Sequence, residues 1–237
     1  MSRRAVILAG GVGTRLRPYT VVLPKPLMPI GEYPILEVII RQLTDQGFDH
    51  ITMAVNHQAE VIKAFFEDGS KWNARIDYSL EENALGTMGP LKIIEDLPEN
   101  FLVMNGDILT DLDFSTFHDS HIIDENIFTI SSYLREQLID YGVLEKNADG
   151  NLIRLREKPV HSYEVSMGIY MVNKKVLDYI PDNMLFGFDN LMHAMIEKKD
   201  RVTVKRYNGY WLDIGRPDDY MQAIDEFDGL KYKFINE

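Results

Sequence analysis

The sequence predicts an α/β fold: one domain built on a mostly parallel sheet with helices on both faces, plus a small antiparallel patch. Three observations carry that expectation. Strand-like apolar runs alternate with helical patterns through the first half of the chain, a glycine-rich turn follows the first run, and no Pro-, Gly- or Ser-rich linker divides the 237 residues. Such alternation implies βαβ units, whose crossovers lay helices over a parallel sheet.

Taken in order, residues 4–9 ("RAVILA") read as a buried strand. The following "PILEVIIRQLTDQG" places Ile35, Leu36, Ile39, Ile40 and Leu43 at helical spacing, with Gly47 where a C-terminal cap belongs. "HITMAV" is expected as a strand, "AEVIKAFFEDG" as a helix closed by Gly69, "RIDYSL" as a strand and "MGPLKIIEDL" as a helix. Residues 100–107 ("NFLVMNGD") read as another buried strand running into a turn. Beyond Asp107 the pattern loosens. "NIFTISSYL", "YGVLEK" and "NLIRLREK" read as strands, the last two joined by the turn "NADGN", which accounts for the antiparallel patch. "VSMGIYMV" follows as a strand, then helices near residues 174–179 and 189–198, the strand "RVTVKRY", and a last helix near 218–227.

Composition excludes several classes of function. The chain is 45% hydrophobic and 26% charged, enough to bury a sizeable core as one large domain. It has no cysteine, which rules out disulfides and thiolate metal sites and permits a reducing compartment. The apolar run behind the basic start is too short for a signal segment and no membrane-length stretch follows, so a cytoplasmic location and no membrane partner are expected. A net charge of -12 argues against a nucleic-acid binder, which needs a basic face. Any anionic ligand must be held locally, by a few placed cations, backbone amides or a metal.

The segment 10–26, "GGVGTRLRPYTVVLPKP", has that character. In a parallel α/β sheet, ligands bind at the carboxyl ends of the strands, where this loop sits. Glycines allow close approach of backbone N–H groups to a phosphate, and successive amides form an anion nest. Arg15, Arg17 and Lys25 can add charge-assisted hydrogen bonds, and the prolines flanking Lys25 stiffen its support. The segment is neither a P-loop, which needs Gly-Lys-Ser/Thr after four residues, nor a dinucleotide fingerprint, whose third glycine is replaced by Leu16. The plain alternative is a tight strand-to-helix turn with surface cations.

These residues resemble the sugar-1-phosphate nucleotidylyltransferases, or nucleotide-sugar pyrophosphorylases, whose signature G-G-x-G-T-R-L-x-P-x-T followed by P-K-P is matched by 10–26. "LGTMG", "NGD", "DYGV", "EKP", "GIY" and "WLDIGRPDDY" then follow in family order, so the likeness runs from Ala5 to about residue 225. The look is that of the short guanylyltransferases for mannose or manno-heptose 1-phosphate. The resemblance implies a Rossmann-like single domain over 1–237, with about 1–110 as its nucleotide-binding half and about 111–237 as its sugar-phosphate-binding half. With a dozen residues left after 225, it implies neither a C-terminal β-helix nor the acyltransferase activity and oligomers such extensions bring; a monomer or small homo-oligomer is expected.

The activity it implies is transfer of a nucleotidyl group from a nucleoside triphosphate to a sugar 1-phosphate, with release of pyrophosphate. By motif position, Arg15 and Lys25 are the catalytic cations, Arg15 on the leaving pyrophosphate and Lys25 on the α-phosphate and the incoming sugar phosphate. Gly10, Gly11, Gly13, Thr14 and Asp107 would contact the nucleotide, with Gly86 and Thr87 near the base. Asp107 and Asp213 match the family's pair for Mg2+, a cation that takes one or two carboxylates and completes its shell with substrate phosphates; taken singly, each is equally a turn or capping residue. On the sugar side stand Gly142, Glu157 and Lys158, although residues of these types near a strand end are ordinarily solvated. Met167, before Gly168, departs from the smaller residue common in the family.

Base choice rests on Glu81, which stands where thymidylyl and uridylyl members often carry Gln. A carboxylate accepts hydrogen bonds and suits the guanine N1–H and amino group, which favours GTP. The alternatives are UTP or dTTP, with "FEDGS" and "IDYS" resembling compact uridylyltransferases for N-acetylmuramate 1-phosphate, or an exposed carboxylate with no such role. A non-catalytic nucleotide-sugar binding module is the alternative from another class. Elsewhere, His118 and His121 read as a solvated helix face, Phe65, Phe66 and Trp72 as packing residues, and Asp218, Asp219, Asp225, Glu226 and Asp228 as a solvated acidic face.

Overall fold

The computed structural model describes residues 3–56, 58–81 and 83–235. Its first half follows the expected alternation. Strand β1 (Arg4–Leu8) leads through a loop and the two-residue strands β2 (Pro29–Ile30) and β3 (Tyr33–Pro34) into helix α1 (Ile35–Asp45). Then come β4 (His50–Val55), α2 (Ala59–Phe66), β5 (Arg75–Leu80), β6 (Asn100–Asn105), β7 (Ile108–Thr110) and α3 (Phe114–Ile123). Helix α1 forms where Ile35, Leu36, Ile39, Ile40 and Leu43 make one fully buried stripe, and Gly47, at φ 82°, supplies the left-handed turn behind it. Helix α3 is capped by Asp113, whose carboxylate accepts the Thr116 N–H at 2.8 Å.

The second half opens with β8 (Phe128–Leu138) and a hairpin of β9 (Val143–Lys146) and β10 (Leu152–Arg156). The turn "NADGN" closes it through Asn147, whose N–H bonds the Asn151 carbonyl at 3.0 Å and whose side chain accepts the Asn151 N–H at 2.8 Å. The chain continues through β11 (Val160–Asn173), α4 (Phe188–Glu197), β12 (Val202–Tyr207), β13 (Trp211–Asp213) and α5 (Pro217–Leu230). No β-helix occurs among the described residues, and no helix in them is long and apolar enough to cross a membrane.

Among the described residues one seven-stranded sheet, ordered β12-β8-β11-β6-β1-β4-β5, takes strands from both halves. The pairs β1·β4, β1·β6, β4·β5 and β12·β8 are parallel, whereas β11 runs antiparallel between β6 and β8. The expected antiparallel patch is therefore larger than the hairpin. The reason is connectivity: β8 returns to β11 through that hairpin rather than through a covering helix, which fixes an antiparallel pair. Alternate residues bury on opposite faces, Ala5 and Ile7 packing with α1 on one side, Val6, Phe101 and Val103 with Leu191 and Met195 of α4 on the other.

Four expectations need correction. "MGPLKIIEDL" is not an α-helix but a short 3-10 turn, Gly89–Ile93, because Pro90 lacks an N–H and the Met88 and Gly89 amides bond the Phe186 carbonyl instead, both at 3.0 Å. Residues 174–179 form another 3-10 turn. His118 and His121 face inward, not to solvent: His121 is fully buried and its Nδ1 lies 2.8 Å from Thr129 Oγ1. Asp219, read as part of a solvated face, is 2% exposed. Phe66 and Trp72 pack in the core as expected.

Candidate active site

The carboxyl ends of β1, β4 and β6 frame a cavity of about 230 Å³. Gly10, Gly11, Arg15 and Lys25 reach it from the loop after β1, and Glu81, Gly86 and Thr87 from the segment after β5. Asn105, Gly106 and Asp107 close it from the end of β6, and Asp213 from β13. Nine of the residues singled out in the sequence thus share one wall-to-wall space. A larger groove, about 380 Å³, is walled by Arg4, His50 and Arg75, the first residues of β1, β4 and β5, and holds none of them.

The loop is shaped by contacts that the side chains dictate. Buried Leu16 and Leu27 anchor two of its 3-10 turns, Thr14–Leu16 and Lys25–Leu27. Gly10 passes so close to the strand ends that a Cβ there would lie 3.1 Å from Glu81 Oε1, whereas around Gly11 the space is open. Gly13 has φ 65°, and a Cβ on it would meet Thr20 at 2.8 Å; the Thr20 hydroxyl donates to the Gly13 carbonyl at 2.7 Å. Gly13 and Thr14 stand outside the cavity wall, and their geometry serves the turn that brings Arg15 over it.

Asp107 and Asp213, distant in sequence, are joined by a three-residue ladder. Strand β13 pairs antiparallel with β7, Asp213 opposite Ile108, and the Ile214 N–H bonds the Asp107 carbonyl at 2.9 Å. Asp213 Oδ1 accepts the Gly215 N–H at 3.0 Å, and Oδ2 lies 3.9 Å from Arg15. The Lys25 ammonium abuts the buried Asp107 Oδ2, which has an ion-pair partner there but no hydrogen bond of ordinary geometry. Burial, and then the adjacent Asp107 charge, raise the Asp213 carboxyl above its ordinary pKa. Two carboxylates converging on one point fit a divalent cation, with the Lys25 ammonium in contact with one of them. Among the described residues no third carboxylate or histidine completes a protein-only cage, so substrate phosphates would have to supply the remaining oxygens.

Glu81 is buried at the end of β5, not exposed in a loop. Its Oε2 accepts the Leu85 N–H at 3.0 Å, and burial raises its pKa. Gly86, at φ 81°, lets the following turn press against Phe186, whose carbonyl a Cβ would meet at 2.8 Å. The Thr87 hydroxyl accepts the Phe188 N–H at 2.8 Å.

Beyond Asp213 and Asn105, which border both, lies a second cavity of about 300 Å³ walled by Arg135, Met167, Gly168, Trp211 and Arg216 among others. Met167 is fully buried there, its carbonyl accepting the Trp211 indole N–H at 3.0 Å. Gly142, Glu157 and Lys158 stand in neither wall: they sit at the base of the exposed hairpin, where Lys158 pairs with Asp140 at 2.7 Å. Sequence reasoning passed over Asn105, although it lies in the "NGD" motif, and Arg135, which no motif marks. A glycine loop, two cations and two carboxylates at the carboxyl edge of a parallel sheet can hold a polyphosphate and a bound cation together.

Those features define an α/β protein with a cavity lined by cations and carboxylates at the carboxyl edge of its sheet. The chain belongs to the nucleotidyl transferase family, whose model matches residues 4–228. It is 35% identical over 241 residues to a UTP–glucose-1-phosphate uridylyltransferase of Synechocystis sp., covering 93% of this chain and 62% of that one. A mannose-1-phosphate guanyltransferase of Schizosaccharomyces pombe is 34% identical over 230 residues, covering 92% and 62%. This chain thus spans about 62% of the length of these curated relatives. Among solved structures, HddC from Yersinia pseudotuberculosis superposes with a TM-score of 0.74 at 28% identity, covering 95% of this chain and 99% of that one. HddC is also known in complex with GMP-PN.

Proposed function

We propose that this protein transfers a nucleotidyl group from a nucleoside triphosphate to a sugar 1-phosphate, giving a nucleotide sugar and pyrophosphate. The observation that carries this reading is the meeting of Arg15, Lys25, Asp107 and Asp213 at one cavity beside the glycine loop. Three anionic groups must share this space in the reaction, so positioning and charge neutralisation are the protein's task. Arg15 draws on the leaving pyrophosphate, and Lys25 steadies the α-phosphate while an oxygen of the sugar phosphate attacks it in line. No group of the chain need become covalently attached. Asp107 and Asp213 would hold Mg2+, which supplies charge stabilisation on the phosphates when bound.

Glu81 favours GTP. Its carboxylate, buried beside Gly10 and Gly86, offers acceptors to both the N1–H and the amino group of guanine, whereas uracil and thymine have only the N3–H to donate. Similarity to HddC, solved with GMP-PN, and to guanyltransferases supports this choice, and the uridylyltransferase relative supports UTP as the second reading. The sugar enters by way of the second cavity, next to Asp213. Pyrophosphate release with Mg2+ tests the proposal across GTP, CTP, UTP, dTTP and ATP, each crossed with hexose, hexosamine and heptose 1-phosphates. Turnover of GTP with one sugar is expected. Turnover of UTP or dTTP alone keeps the reaction and discards the role of Glu81; binding without turnover in every pair favours a non-catalytic module.

A further inference from the structure

Arg135 belongs to no motif, yet both ends of its guanidinium are engaged beside the second cavity. It comes from β8, and its fork grips Asp219 in the first turn of α5, 84 residues later. One terminal nitrogen donates to Asp219 Oδ2 at 2.8 Å and the other pairs closely with Oδ1. The same Oδ2 accepts the backbone N–H of Asp213 at 3.1 Å. From the other side, the Asp213 carbonyl accepts the Arg216 N–H at 2.9 Å. Arg135 also lies over the Trp211 ring, 5.8 Å from its centroid, two residues before Asp213.

We infer that Arg135 is a positioning residue: by fixing Asp219 it fixes the backbone of Asp213, and so the place of the carboxylate read above as a ligand of the divalent cation. The inference rests on that reading. A carboxylate as buried as Asp219 is costly without a bidentate partner. Removing Arg135 leaves the buried Asp219 carboxylate without its bidentate partner, so it no longer holds a fixed place as the acceptor of the Asp213 N–H. Lysine keeps the charge but cannot fill both bonds of the fork, so Arg135→Lys restores the arrangement only in part.

The test is titration of Mn2+ in the presence of inorganic pyrophosphate, followed by electron paramagnetic resonance. Pyrophosphate as the co-ligand makes the result independent of base and sugar. Arg135→Met should weaken Mn2+ binding about tenfold in protein that still melts cooperatively, with Arg135→Lys in between. Its turnover should fall at low Mg2+ and recover at high Mg2+, which a general loss of structure would not allow. If Arg135→Met fails to fold, Asp219→Asn, which removes the buried charge together with the fork, carries the same expectation. Mn2+ affinities within about twofold of wild type in the folded variants overturn the inference. Asp213→Asn is the separate control: undiminished Mn2+ binding in that variant overturns the metal reading itself, and this inference with it.

Discussion

At the residue scale, the chemistry turns on side chains whose environment the fold changes. Glu81 is the clearest. If its carboxylate reads guanine, Glu81→Gln leaves one guanine donor facing an amide N–H and should lower kcat/KM for GTP about tenfold or more, shifting preference toward UTP or dTTP. An unchanged ratio of kcat/KM for GTP and UTP would remove Glu81 from base choice. Gly215 offers a second test, because a Cβ there would fall on the Lys25 ammonium and 2.7 Å from Asp107 Oδ2. Lys25 has a flexible stem, so Gly215→Ala should fold normally, displace the ammonium and reduce kcat/KM about tenfold. Steady-state rates beside a thermal melt distinguish this from plain destabilisation. Gly10, Gly11, Arg15, Lys25 and both aspartates, which share the cavity, each sit in a dense motif, whereas Gly142, Glu157 and Lys158 sit in motifs too and line neither cavity. Arg135 and the buried state of Asp219 were not: a lone arginine in an alternating strand and one aspartate in an acidic run carry no local sign of a partner 84 residues away.

At the scale of elements, periodicity identified what local burial decides and missed what distant backbone groups decide. Helix α1 was legible from its apolar stripe, and the hairpin turn from Asn147 and Gly150. The segment at Gly89–Ile93 was not, since the Phe186 carbonyl that captures its amides lies far along the chain. The pairing of β7 with β13, which brings Asp107 and Asp213 together, involves three residues a side and leaves no pattern to read. Helix α3 carries a stability prediction. Burial, and then the charge of His118, hold the His121 imidazole down to about 4 from an ordinary 6.5, so the unfolded chain takes the proton first as the pH falls. The contribution of neutral His121 is complete above about pH 6.5 and is lost progressively toward pH 4, with a slope of up to about 1.4 kcal/mol per pH unit. Denaturant melts across that window should show a flatter profile for His121→Asn than for wild type. Parallel profiles would remove His121 as the cause.

For the whole molecule, alternation of strands and helices announced a parallel sheet, and the family motifs announced the order of its active edge. The antiparallel insertion of β11 between β6 and β8 was hidden, because strand direction follows from connections that sequence periodicity does not record. The consequence is functional. One sheet holds the glycine loop at β1 beside the second cavity at β11, with Asn105 and Asp213 in the wall of each. A protein of net charge -12 in this way concentrates Arg15 and Lys25 at one point, where the proposed reading puts the anions and a divalent cation. We take this point to be the reaction centre. Its most direct test is pyrophosphate release by Asp107→Asn and Asp213→Asn, each with wild-type melting behaviour, using the substrate pair that wild type turns over. A fall of at least about 100-fold is expected in both; full activity in both folded variants would place the reaction elsewhere.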